Sequence, residues 1–284
     1  MEKDINSLQK NEAYMSEKKK AFQQPDLTIE DLSKALYESN ITLQKTMQER
    51  DEIYANISHD LRSPITAIHN AIEYLMSLDR ISEQDIRTVL PLLQERTLVL
   101  EKMINEIFLL TKLDSSTSLL HMKNIPLTGF LEDFFFSCNA DSKYQNRKLI
   151  LDLPENFNIT VCIDTAYMTR VLDNLFSNAL KYTHDGDSIT LSAHIDSPVD
   201  SSPAAIITVS DTGIGIASNE TDKIFSRTYM SSSARTPSDA SGAGLGLAIC
   251  KSIIEKHNGI IWCQSDSNQH CGSTFFIRLP LIDC

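Results

Sequence analysis

From residue 29 onward the apolar residues fall at helical spacing: Ile29, Leu32, Leu36, Leu43, Met47, Tyr54, Ile57 and Leu61. Leu36, Leu43 and Ile57 share one heptad position, with Arg50 the exception. Met47, Tyr54 and Leu61 share the other, with Asn40 the exception. A sustained alternation of three- and four-residue steps is the pattern of a coiled-coil seam, most simply a parallel dimer. An amphipathic helix lying on its own domain is the alternative. The run carries straight into ISHDLRSP, residues 57–64, where Ile57 and Leu61 take the seam and turn His59 and Asp60 away from it. A neutral imidazole facing water has a lone pair able to attack an electrophile. The adjacent acid can accept the proton of the other ring nitrogen and fix the tautomer. A histidine on a merely solvated helix face is the plainer alternative.

The helical pattern continues through Ile65, Ile68, Ile72 and Leu75, with Pro64 inside it. Proline there removes one backbone hydrogen bond and is expected to bend the helix near His59. A short turn is expected at about 78–81. Ser82 with Asp85 then caps a second helix, whose apolar face runs Ile86, Val89, Leu93, Leu100, Ile104, Ile107 and Leu110, with Pro91 as a kink. Two antiparallel helices enclose no core alone, whereas two copies of the hairpin make a four-helix bundle, so the pattern implies a dimer.

Before this region, residues 1–26 read as a polar, lysine-rich tail, and Thr28 with Asp31 as an N-cap and first-turn acid. After it, a serine-rich linker at 115–120 separates a different grammar. A helix near 127–139 is followed by the strand-like runs KLILDL and ITVCI. Next come a helix carrying VLDNLFSNALKYT, strands SITLSAHI and AAIITVSD, a helix in LGLAICKSIIEKHN, and strands GIIWCQSD and STFFIRLP. Strands interleaved with helices, several of them antiparallel, predict a two-layer α/β sandwich. The expected organisation is therefore a tail (1–26), a coiled-coil helix (27–52), a helical hairpin (53–114), a linker (115–120) and an α/β domain (121–284).

The α/β half holds the residues suited to a nucleotide. On a helix, Asn174, Asn178, Lys181 and Tyr182 share one face, opposite the apolar Leu172, Leu175, Ala179 and Leu180. Amide oxygens can ligate Mg²⁺, the lysine can approach phosphate, and the tyrosine can lie against a base or ribose. DTGIGI, residues 211–216, follows a strand directly. There Gly213 and Gly215 admit backbone close to a ligand, and Asp211 can accept a hydrogen bond from an exocyclic amine. GAGLGL, residues 242–247, precedes a helix, so Gly242, Gly244 and Gly246 can bring backbone N–H groups to a phosphate. It lacks the lysine of a P-loop, and it neither follows a strand nor has the later ribose-binding acid of a dinucleotide fingerprint. The serine-rich stretch 227–241 between the glycine turns suits a mobile lid. Each motif alone has a bland reading, as a polar helix face, a turn or an ordinary loop.

The net charge of −12 argues against nucleic acid as a partner, because a sequence-independent hold on phosphates needs a basic surface. No run of roughly 18 apolar residues occurs and the N-terminus is polar, so a cytoplasmic location is expected. The six cysteines include no C-x-x-C pair and are expected to be reduced.

In this order and spacing the motifs resemble the catalytic core of a two-component sensor histidine kinase. ISHDLRSP resembles its phosphoacceptor motif and NLFSNALKYT its asparagine motif. DTGIGI and GAGLGL resemble its glycine motifs, and Ile224-Phe225-Ser226-Arg227 the phenylalanine motif of its lid. The resemblance implies a homodimeric phosphoacceptor domain of the HisKA type and an ATP-binding domain of the Bergerat or GHKL fold. By position, His59 would be phosphorylated and Asp60 would act as its base or orienting acid. Asn178 with Asn174 would hold Mg²⁺, Lys181 would meet phosphate, Tyr182 would line the adenosine pocket, and Asp211 would read the adenine amine. Gly213, Gly215, Gly242, Gly244, Leu245, Gly246 and Ser273 would shape the ATP pocket and lid hinges, and Arg227 would stabilise the transferring phosphate. The phosphoryl group would pass to an aspartate on the receiver domain of a response regulator, with input from a separate sensor or a region absent from this chain. Two features depart from the family. Ser63 stands where members that also dephosphorylate their partner carry Thr or Asn, which leaves a phosphatase role open. The lid has Ser226 and Thr228 where a glutamate and a second phenylalanine are common. A GHKL ATPase that works as a clamp shares the asparagine and glycine motifs but has no use for ISHDLRSP. A non-catalytic dimeric scaffold has no use for the ATP motifs.

Overall fold

A computed structural model of the protein describes residues 29–115, 120–155, 157–197, 202–226, 244–265 and 272–281, and its first element is one long helix, α1 (Ile29–Ser77). Two units divide the chain, Met1–Tyr54 and Ala55–Cys284. In the first, the described residues belong to α1, and the expected seam residues Leu36, Leu43, Met47 and Tyr54 are all exposed. The predicted cap residues Thr28 and Asp31 lie at or beyond the edge of what is described.

The second unit opens with the rest of α1, which runs through Pro64 without a break, and with α2 (Glu83–Asp114). The predicted capping box is present. The Asp85 N–H donates to Ser82 Oγ at 3.2 Å, and the Ser82 N–H donates to the Asp85 carboxylate at 2.9 Å. Tyr74 adds a hydroxyl bond to Asp85 at 3.0 Å, which ties the end of α1 to the start of α2. Ala71, Val89 and Met103 are buried, while Ile65, Ile72, Ile86, Leu90, Ile104 and Phe108 stay exposed. An apolar stripe of that length needs a cover.

The rest of the unit comprises β1 (Lys123–Pro126), α3 (Leu127–Ala140), β2 (Lys148–Asp152), β3 (Thr160–Ile163), α4 (Thr165–Tyr182), β4 (Ser188–Asp196), β5 (Ala204–Asp211), α5 (Gly246–Lys256), β6 (Ile260–Ser265) and β7 (Ser273–Pro280). Five strands form a sheet in the order β2-β4-β5-β7-β6. Its neighbours are antiparallel except β2 and β4, which are parallel because β3 and α4 form the crossover between them. β1 pairs with β3 in a separate two-stranded ribbon. That strand is absent from the sequence-based expectation. KNIP has one β-branched residue and ends in proline, so its extended form comes from its partner.

Strand alternation sends Ile189, Leu191, Ala205, Ile207, Val209, Phe275 and Ile277 to the face covered by helices. From the other side α4 contributes Met168, Val171, Leu172, Leu175, Phe176 and Ala179 at three- and four-residue steps. Phe176 is fully buried and meets the rings of Phe134 and Tyr144 edge-on, at 5.0 and 6.1 Å. The outer side of the sheet carries hydroxyl pairs, Ser192 with Thr208 and Ser210 with Thr274, beside a stacked Trp262–Phe276 pair.

The end of α2 belongs to this same core through Leu110 and Leu113. Lys256 Nζ, at the end of α5, donates to the Ser115 carbonyl at 3.2 Å. On the far side of the linker, the His121 N–H donates to Asp164 Oδ2 at 2.8 Å. Asp164 caps α4, and its own N–H donates to His257 Nε2 at 3.0 Å, while His257 Nδ1–H donates to the Ile253 carbonyl. A backbone N–H on Nε2 fixes the neutral tautomer, and burial holds this histidine below its ordinary pKa. Both described ends of the linker are thus fastened at one corner.

The cysteines need one correction. Cys138, Cys250 and Cys263 are free and buried, with thiols pushed by burial up to about 11, 12 and 12. Cys162 is disulfide-bonded, against the expectation of six reduced thiols. Such a bond follows spatial proximity, which sequence spacing does not reveal. Among the described residues no helix is long and apolar enough to cross a membrane.

Truncating Phe176 leaves a cavity where three aromatic rings meet. Phe176→Ala is expected to lower the unfolding free energy by about 3–5 kcal/mol, read as a lower urea midpoint with an unchanged m-value.

Candidate functional site

The His59 side chain on α1 is 81% exposed, and its Nδ1 lies 3.3 Å from Oδ1 of Asp60, whose side chain is only 18% exposed. With Nδ1 turned to the carboxylate, Nε2 is the nitrogen left to face outward. Ser63, one helical turn on, is also exposed.

On α4, burial of the apolar face fixes the direction of the other edge. Asn174, Asn178 and Tyr182 are half-buried along that edge, and exposed Lys181 holds its Nζ 5.1 Å over the Tyr182 ring. Asn174 reaches the start of α5. A Cβ placed on Gly246 would stand 3.4 Å from its Oδ1, and the Asn174 side chain also acts on the buried Cys250 thiol, which donates to the Val171 carbonyl at 3.8 Å. α5 begins at Gly246 after a buried Leu245, and among the described residues no side chain caps its first N–H groups.

Asp211 closes β5 and is nearly buried. Its Oδ1 accepts the N–H of Gly213 at 2.9 Å and of Ser273 at 3.3 Å. Its Oδ2 has no hydrogen bond among the described residues. Burial raises the pKa of this carboxyl, the two N–H donors work against that rise, and the charge of Asp187 adds to it. A buried acceptor with one oxygen anchored and one open suits an amine donor on a ligand.

Close backbone packing shapes the surrounding loops. A Cβ on Gly213 would fall 2.2 Å from the Tyr182 carbonyl oxygen, and the neighbouring Ile214 N–H donates to that same oxygen at 3.2 Å. The DTGIGI turn therefore leans on the end of α4. Gly272 has φ +66, and a Cβ there would fall 1.8 Å from the Asp211 carbonyl oxygen, so two features require glycine. Ser265 Oγ accepts the Ile216 N–H and donates to the Gly272 carbonyl, both at 2.7 Å. Gly215 and Gly244 also have positive φ. Ile224 and Phe225 are buried, with Phe225 edge-on to Phe275. Arg227 and Gly242 lie outside the described residues.

The structure places Asn174 beside Gly246, the end of α4 at Tyr182 beside Gly213, and Asp211 beside Gly213 and Ser273, with Asn178 on the same edge of α4. It adds residues that the motif reading passes over. Ser265 and Gly272 are two of them, and the position of Gly272 immediately before a strand is the available clue. Arg147 is another. Its guanidinium donates to Thr183 Oγ1 at 2.9 Å and to the Thr183 carbonyl at 2.7 Å, and it pairs with Asp185, which fixes the chain just after Tyr182. For a divalent cation the protein offers two neutral amides on α4, and the described residues contain no cluster of three His, Cys, Asp or Glu. That donor set fits Mg²⁺, which takes few protein ligands and draws the rest from phosphate and water.

Comparison with known proteins adds independent findings. Residues 49–116 match the family described as the His Kinase A (phospho-acceptor) domain, and residues 163–283 the histidine kinase-, DNA gyrase B- and HSP90-like ATPase family. The sensor histidine kinase WalK of Bacillus subtilis is 33% identical over 253 residues, covering 89% of this chain and 40% of that protein. The sensor protein kinase WalK of Staphylococcus aureus is 34% identical over 240 residues, covering 84% and 55%. The chain thus spans about half the length of these relatives. Among solved structures, the histidine kinase ThkA in complex with the response regulator protein TrrA aligns with a TM-score of 0.64 at 23% identity, covering 87% of this chain and 66% of that one. The Acinetobacter baumannii histidine kinase AdeS aligns at 0.59 and 22%, covering 79% and 98%. At these identities the structural likeness concerns the fold.

A carboxyl whose pKa is raised by folding favours the protonated native state, so Asp211 costs stability once pH rises above the ordinary carboxylate range of about 4. Asp211→Asn keeps an oxygen for both N–H donors and carries no charge. It is expected to be more stable than the native protein at pH 7, with the difference shrinking as pH falls toward 4, in urea titrations at both values.

Proposed function

The chain carries the catalytic core of a two-component sensor histidine kinase, and on that premise we propose that it phosphorylates its own His59 from ATP and passes the phosphoryl group to an aspartate of a response regulator. The observation that carries this reading is the outward Nε2 of His59, set by Asp60, in the same chain as an adenine-ready carboxylate at Asp211.

The adenine amine donates to Asp211 Oδ2, Tyr182 lines the adenosine pocket, and Lys181 with the first N–H groups of α5 receives phosphate oxygens. Asn178 and Asn174 would hold Mg²⁺, which when bound offsets phosphate charge. His59 Nε2 attacks the γ-phosphorus as the bond from that phosphorus to the bridging oxygen breaks, and ADP leaves. The ring then carries positive charge with its Nδ1–H directed at Asp60, so the acid supports the charge as it develops. Positioning does most of the work in such a transfer. Arg227 is assigned to the transferring phosphate by its place in the motif. The N–P bond formed is reactive, and a receiver carboxylate takes the phosphoryl group while His59 is regenerated. Ser63 is a hydroxyl placed to orient a water in the reverse, dephosphorylating direction.

Residues 53–114 are assigned to dimerisation and phosphotransfer, 27–52 to a coiled coil leading into them, and 121–284 to ATP binding. The exposed apolar residues of α1 and α2 support a homodimer. The use of ATP fits a cytoplasmic location.

Incubation with γ-labelled ATP tests the reaction. An acid-labile, base-stable label is expected on the native protein and absent from His59→Gln, with transfer to a cognate receiver in a panel. Asp211→Asn is expected to weaken ATP binding by roughly tenfold or more, the loss of a hydrogen bond to a charged acceptor, measured by calorimetry. ATP turnover without label, or label that survives His59→Gln, would refute the reading.

A further inference from the structure

Glu106 on α2 is 4% exposed, yet its carboxylate has a single long ion pair, to Lys102 Nζ at 3.9 Å, and Lys102 is itself 61% exposed. It makes no hydrogen bond among the described residues. Burial pushes this carboxyl up, and the charges of Lys102 and Arg170 pull it down. The residue as a whole is buried while it lines an open cleft, so a carboxylate with one long ion pair there gains from a cation that reaches it across the cleft.

The candidate stands across a polar cleft of about 550 Å³. One wall is α2, with Glu101, Lys102, Asn105 and Glu106. The other is α4, with Arg170, Asn174 and Ser177. Arg170 likewise makes no hydrogen bond or ion pair among the described residues. Asp173 and Lys143 also line the cleft, and the charge of the guanidinium acts on Glu106. A planar guanidinium and a carboxylate can pair through two parallel bonds, and here each faces the same cleft unbonded.

Two placements give the pair a purpose. Arg170 lies one turn before Asn174, so both share the edge of α4 assigned to the phosphates. His59 lies as far before the interhelical turn as Glu101 lies after it, so antiparallel pairing sets the cleft at the level of His59.

We propose that Glu106 and Arg170 close on each other across this cleft when the hairpin and the ATP-binding half engage, with Glu106 as the positioning residue that holds the Asn174 edge of α4 at the height of His59. The proposal rests on the kinase reading above. It concerns the transfer step and leaves nucleotide binding to other residues.

The test compares initial autophosphorylation rates of the native chain, Glu106→Gln, Glu106→Arg, Arg170→Glu and the double exchange E106R/R170E, with nucleotide affinity measured in parallel. Glu106→Gln is expected to lower the rate at saturating ATP by roughly tenfold, the size of a typical coupling between contacting charges, with the KM for ATP and the nucleotide affinity within about twofold. The double exchange is expected to recover most of the rate lost in either of its single variants. A native or raised rate in Glu106→Gln, or a double exchange no faster than Arg170→Glu, would overturn the proposal while leaving the kinase reading intact. A native chain that takes no label would remove both.

Discussion

Helix α4 serves two masters with one rotation. Six residues on one face, from Met168 to Ala179, are buried against the sheet and α3. Full burial of each such apolar side chain contributes on the order of 1.5–3 kcal/mol, so turning the helix by one residue, about 100°, is prohibitive. The directions of Asn174, Asn178 and Tyr182 follow from that packing. The DTGIGI turn rests on the Tyr182 carbonyl, and α5 starts where Gly246 admits Asn174. The loops take their positions from a helix that the core has already oriented.

Asp211 shows the opposite logic. Its charged form is disfavoured by burial and is held by two N–H groups reaching it from either side. Gly272 lets the chain pass against the Asp211 backbone, and Ser265 ties that passage to the other glycine turn. A local liability is thereby stabilised, with one carboxylate oxygen left without a hydrogen bond among the described residues.

Periodic features were legible from the residues alone. The two long helices, the Ser82–Asp85 cap, the edge of α4 and the strand order along the chain all leave a trace at short sequence separation. Contacts between distant residues leave none. β1 becomes a strand only by pairing with β3, and Cys162 looks like any other cysteine of a strand. Arg147 meets Thr183 and Asp185 across a turn of the fold that no motif marks. Glu106 sits in INEIFLL as an ordinary helix acid, and no local spacing marks it as buried or as facing a cleft shared with α4.

The linker bears on how such a chain can be rebuilt. Ser115 is held by Lys256 from the end of α5, and His121 is held by Asp164, which is in turn bonded to His257. A boundary drawn by sequence at 115–120 therefore cuts through a knot tied by residues lying 43 and 141 positions away along the chain. A chimera that grafts another ATPase domain onto this hairpin inherits the tether but loses both of its fastenings, unless the graft also supplies a lysine and a neutral histidine at that corner. The modules are separable as text and joined as a joint, which limits recombination between relatives to partners that share the corner.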